Sequence, residues 1–253
     1  MALEDQVAAL VALGGENLAL PQQIKDESVA QIAKVADQFA ANQNAMNTTV
    51  YINQANGNDA AEGSEADPVK TIGEALDRTA VRGRCDARLT GAYHIDEDIR
   101  ALGKRLVLSS ASSVKHAVTH QPRIAQIGNT DFVSCDQIIL DRDASFALFG
   151  LDWIMPERPN GSAGLSFSNS AGLVRATANN GLVSLTVGSA IMRRSATSEF
   201  PVFNTLRQPT SLFLSGVANG DQPMLGFWFR DLSNTAGTDP TTVGWLTSNA
   251  PSV

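Results

Sequence analysis

The chain has 253 residues, a formal net charge of -7, 18% charged residues and two cysteines. An acidic surface repels phosphate backbones, which excludes a general nucleic-acid binder, and Cys85 and Cys135 show neither a disulfide framework nor metal-ligand spacing, so two free, buried thiols are expected. No apolar run approaches the roughly 20 residues of a membrane span, and Met1-Ala2-Leu3-Glu4-Asp5 has no signal-peptide character, so no membrane insertion and synthesis in a cytoplasm are expected.

Residues 1–48 are rich in Ala and Gln, a helical composition. Leu3, Val7 and Leu10 form a short apolar stripe that ends at Gly14-Gly15 and Pro21. Val29, Ile32, Ala36, Phe39, Gln43 and Met46 then recur at spacings of 3, 4, 3, 4 and 3, the a/d pattern of a coiled-coil seam. The same pattern suits an amphipathic helix lying on its own domain, because the run is under three heptads and Ala36 and Gln43 are weak seam residues.

After Asn47 the pattern switches to strands. Thr48 to Ile52 is β-branched and aromatic, and Asn53 to Asp67 reads as a loop. Pro68 to Ala80 reads as one helix with Val69, Ile72 and Leu76 on a shared face. Short strands are expected at 105–108, 123–127, 137–140, 146–148, 165–167, 173–176, 182–187, 211–214 and 225–229, with Asn160-Gly161, Asn180-Gly181 and Asn219-Gly220 as tight turns. This spacing implies a sandwich, a barrel or a β-solenoid, and no coil-length repeat is visible. Beyond Lys115 there is no further lysine, and a surface rich in Ser, Thr and Asn suits subunit packing.

Tyr51-Ile52-Asn53, Gly57-Asn58-Asp59, Gly63, Pro68-Val69-Lys70-Thr71-Ile72 and Ala75-Leu76 together resemble the opening motif of right-handed parallel β-helix proteins, among them phage tailspikes and secreted pectate-lyase-like proteins. In physical terms, the helix would lay Val69, Ile72 and Leu76 on the open end of a solenoid core and block edge-to-edge pairing. Leu3 to Leu13 and the helix after it are similar to the starts of phage tail-fibre proteins. These resemblances imply a helical attachment and trimerisation stalk (1–48), a β-helix body (49–195, capping helix 68–80) and a β-rich C-terminal cap (196–253). They imply a homotrimeric virion fibre or spike that binds other virion proteins through residues 1–48 and touches host-surface glycan. A glycan-degrading β-helix enzyme and an adhesin-like module are the alternatives.

Candidates for chemistry are few. Asp141 and Asp143 could share a strand face, and Asp152, Glu157 and Asp96-Glu97-Asp98 are further acids, but glycoside hydrolysis needs two carboxylates at a set separation that spacing alone does not supply. His116 and His120 are four apart with no acid between them, which favours a hydrogen-bonded pair over zinc ligands. Phe227-Trp228-Phe229 and Trp245 are the aromatic concentration: core packing is the main expectation, and Trp228 and Trp245 are the candidate glycan contacts. No catalytic residue, metal or cofactor is expected.

Overall fold

The structure is a computed structural model. It describes residues 6, 8, 22, 24–35, 37–38, 46–168, 171–177, 181–220, 224, 227–230 and 238–249. The chain divides into two units, Met1–Asn44 and Ala45–Val253.

In the first unit residues 24–35 are helical and all exposed. The Ser28 hydroxyl donates to the Ile24 carbonyl at 2.7 Å, one turn back. Val29 and Ile32 are 58% and 69% exposed, as are Ile24 and Val35 to a similar degree, so these residues have no apolar cover. Met46 is helical and exposed at the start of the second unit. Ala36, Phe39 and Gln43 lie outside the described residues.

The second unit is mainly β. Its first turn is β1 (Asn47–Ile52), a loop and helix α1 (Ile72–Asp77). The second holds β2 (Arg84–Leu89), β3 (Tyr93–Ile95) and β4 (Ile99–Leu102). The third holds β5 (Arg105–Ser110), β6 (Ala117–His120), the pair β7 (Pro122–Ile127) and β8 (Thr130–Cys135), and β9 (Ile138–Asp141). The fourth is β10 (Ser145–Phe149), β11 (Asp152–Ile154) and β12 (Val174–Ala176); the fifth is β13 (Val183–Gly188), β14 (Ile191–Arg193) and β15 (Phe203–Asn204). β16 (Thr210–Ser215), β17 (Ala218–Asn219) and β18 (Leu246–Ser248) complete the series.

Three parallel sheets result: sheet A orders β1-β2-β5-β10-β13-β16-β18, sheet B β3-β6-β11-β14-β17 and sheet C β4-β9-β12-β15. Within each sheet, neighbours follow chain order, one strand per turn. Parallel neighbours cannot be joined by a tight hairpin, so the chain reaches the next strand of one sheet by passing through the other two. Among the described residues, only β7 and β8 pair antiparallel.

The core is built from inward side chains in register. Cys85, Leu106, Phe146, Leu185 and Leu212 stack in one column, and Ala87, Leu108, Leu148 and Val187 in the next. All nine are buried. Period-2 alternation sends every second residue of sheet A into these columns. The corner from sheet A to sheet B repeats one device: Gly150, Ser189 and Gly216 follow the register-matched ends of their strands, each in the left-handed region at φ 62°, 51° and 61°.

The free edge of β1 is covered by its own loop. Tyr51 N donates to Gly63 O at 2.8 Å, Val69 N to Tyr51 O at 3.0 Å, and Asn53 N to Val69 O at 2.8 Å. Gly57 is required there, because a Cβ would lie 2.3 Å from the Val69 carbonyl oxygen. Asp59 fixes the start of the helix: Oδ1 accepts from Lys70 N and Thr71 N and Oδ2 from Thr71 Oγ1. Thr71 caps α1 by accepting from Glu74 N at 3.1 Å. The helix expected over 68–80 is therefore shorter, since Pro68-Val69 stays extended and Val69 bridges Ile52. Val69, Ile72 and Leu76 are all buried against the core.

The boundary expected near residue 195 is also corrected. β16 pairs with β13, and β18 with β16, both parallel, so sheet A continues to Ser248. Residues 165–167 form no strand; Phe167 makes only an isolated bridge to Val133.

Candidate functional site

Several long connections of the body lie at one corner, between sheets B and C. The passage there is short in the second turn (96–98), contains the β7–β8 hairpin in the third, and lies between Ile154 and Val174 in the fourth and between Arg193 and Phe203 in the fifth. Loops borne on a rigid scaffold are where binding residues concentrate.

The hairpin is tied down at its root. Asp136 N donates to Gln121 O at 3.0 Å, and the Arg123 guanidinium pairs with Asp136 and, at 3.5 Å, with Asp98. The Asp136 side chain is only 5% exposed. Burial raises its pKa, the Arg123 charge opposes that rise, and Asp98 and Asp96 add to it. Beside this root, His120 donates from Nδ1 to the Asp136 carbonyl at 2.7 Å, and its ring lies parallel to Trp153 at 5.4 Å. Nε2 is buried and has no hydrogen-bond partner among the described residues. Burial pulls the His120 pKa down to about 4, so the imidazole is neutral at pH 7. At about 3.3 Å per residue, extended chain holds residues four apart roughly 13 Å from each other, too far for His116 and His120 to grip one ion.

Between the hairpin root and the loop after β11 runs a groove of about 590 Å³, lined among others by Thr119, Gln121, Ile154, Pro156, Glu157 and Asn160. His94 organises its floor: its ring nitrogens meet Thr119 Oγ1 at 2.8 Å and Gln121 Oε1 at 3.0 Å. A second pocket of about 390 Å³ is lined by Leu165, Ser166, Phe167, Glu199, Pro201 and Arg230. Arg158 borders both. Its guanidinium sits 4.6 Å above the Phe167 ring, pairs with Glu199 at 2.8 Å and donates to the Ser162 and Leu165 carbonyls.

Such walls, apolar with a few amides, a hydroxyl and a carboxylate, suit a ligand with both C–H faces and hydroxyls, as a sugar has. Glu157 is the groove's carboxylate, and Glu199, in the smaller pocket, is held by Arg158.

Of the residues singled out in the sequence, Glu157 and His120 line the groove, and the others lie elsewhere. Trp228 is 5% exposed and stacks on Phe203, and Trp245 packs edge-on against Phe229 at 5.5 Å. Trp228 therefore offers no face to a glycan, and neither tryptophan lines the two pockets. Asp141 and Asp143 sit at the corner from sheet C to sheet A. Asp141 accepts from the Thr177 hydroxyl at 2.7 Å and Asp143 from Gly181 N at 2.9 Å. Asp152 is held by Arg193 at 2.8 Å. Sequence reasoning missed Gln121, Arg158, Phe167 and Arg230. Their one local signal is the run Pro156-Glu157-Arg158-Pro159-Asn160, a polar loop between prolines. Both cysteines are buried and free, and burial raises the Cys85 thiol to about 11.

No known family, no curated protein and no solved structure matches the chain.

Proposed function

We propose that the protein is a structural fibre or spike of a bacteriophage virion, a homotrimer attached to its particle through residues 1–48, with a right-handed β-helical body that touches host-surface glycan at the B–C corner. The observation that carries this reading is the stack of parallel turns, closed over β1 by its own loop, with the β7–β8 hairpin and two pocket-lining loops at the corner between sheets B and C. Such a body is stiff and one-sided, which suits projection and adhesion. The exposed apolar residues of 24–35 supply a surface for two further copies. Glu157 in the larger groove favours one rival, a glycan-degrading enzyme of the same build. Release of reducing ends or unsaturated sugars from host polysaccharide would install that rival.

Attachment through the first unit has a direct test. The body has its own covered edge and its own cap in α1, and β1 reaches back into residues 1–48 only through Asn47 and Thr48. Deleting residues 1–48 should leave a soluble, β-rich protein by circular dichroism that no longer enters virions. A truncated protein that still assembles into particles would place attachment in the β body.

A further inference from the structure

Two arginines face the smaller pocket from different turns, and only one has its charge matched. Arg158 is paired with Glu199 and stacked on Phe167. Arg230 makes no ion pair among the described residues. Its Nη2 meets the Phe167 carbonyl at 3.5 Å, the limit of a hydrogen bond, and its buried Nε has no acceptor. Among the described residues that line it, the pocket thus carries one more positive than negative charge, in a chain of net charge -7. A guanidinium N–H left without an acceptor is costly, and a small rotation of Arg230 exchanges one long contact for two charge-assisted bonds to an anion.

The rest of the lining narrows the anion. Leu165, Phe167 and Pro201 are apolar, Ser166 adds a hydroxyl, and about 390 Å³ is room for a small ring. A single carboxylate balances the charge, whereas a phosphate at roughly -1.5 to -2 overshoots it. We propose that this pocket holds the carboxylate-bearing ring of an acidic sugar, a uronic acid, with Arg230 taking the carboxylate and Leu165 and Pro201 packing its C–H face. The assignment rests on the reading of this corner as the glycan-contacting face.

The test titrates the full chain at pH 7 and low salt with sodium glucuronate, methyl glucoside and inorganic phosphate, read by calorimetry or NMR shifts. Glucuronate should bind about tenfold or more tighter than the other two. Arg230→Gln should weaken glucuronate binding about tenfold with an unchanged melting temperature, and Arg230→Lys should keep part of it. If Arg230→Gln lowers the melting temperature, Arg230→Lys decides on its own: partial binding supports the assignment, and wild-type binding overturns it. Equal binding of the glucoside overturns the proposal, as does phosphate binding as tightly as glucuronate, or wild-type binding by Arg230→Gln. Host polysaccharide that binds wild type and Arg230→Gln alike would remove the uronic-acid assignment and keep the corner as a glycan face. No polysaccharide binding at all would remove both.

Discussion

His120 is a neutral imidazole inside a β core, and that makes it the residue through which pH reaches the fold. Its pKa is about 4 when folded against 6.5 ordinarily; burial lowers it, the hydrogen bond to the Asp136 carbonyl raises it, and the nearby His94 lowers it slightly. A depressed folded pKa means that protonation favours the unfolded chain. The contribution is complete above pH 6.5 and is lost as pH falls toward 4, about 2–3 kcal/mol between pH 7.5 and 4.5. His120→Asn keeps a donor for the Asp136 carbonyl but cannot titrate. The Asp136 carboxyl, raised by burial, acts in the opposite sense, gaining stability as pH falls, and is present in both proteins. Urea unfolding at the two pH values should show wild type losing about 2–3 kcal/mol more than His120→Asn. Equal pH dependence would contradict the assignment. Asp141 and Asp143 give a second residue-scale prediction. Each accepts a hydrogen bond that holds a turn, and an Asn side-chain oxygen can accept the same bond, though more weakly than a carboxylate. The double change to Asn should cost less than about 1 kcal/mol in stability and leave host adsorption intact. Loss of a measurable glycan-cleaving activity in that variant would instead make them catalytic.

The hairpin β7–β8 is an insertion, and the second turn shows that the coil can pass the same corner without one. Its tip is exposed, with Ile127 outward, whereas Val133 and Cys135 near the root are buried. Replacing residues 125–132 by Asn-Gly, a turn suited to two paired strands, should preserve cooperative unfolding and the β circular dichroism. A collapse of cooperativity would mean that the tip helps form the core. At this scale the sequence was partly readable. β5, β10, β13 and β16 stand out because each runs five or six residues with several apolar positions. β11, β14, β15 and β17 have only two or three residues, too few for any period to register. The turn repeat is hidden for a related reason. Cys85 opposes Leu106, 21 residues on, but Leu106 opposes Phe146, 40 residues on, because the insertions fall at one corner. Trp228 shows where alternation misleads. Trp228 and Phe229 are both buried, since the chain bends there instead of running as a strand. The pocket residues were out of reach for a different reason: Arg158 and Arg230 meet only because successive turns stack.

For the whole molecule, the central claim is assembly. Copies that each carry -7 repel one another, so contact must come through apolar or uncharged surface. Val29 and Ile32 present such surface, and isolated helices of this length are marginal in water, so association would also stabilise the helix that bears them. Changing both to Glu should therefore dissociate the assembly while leaving the body folded. The most direct measurement is the mass of the full chain in solution by light scattering at micromolar concentration. A homotrimer should read about three times the 26.8 kDa of one chain. A single species at the mass of one chain would contradict it.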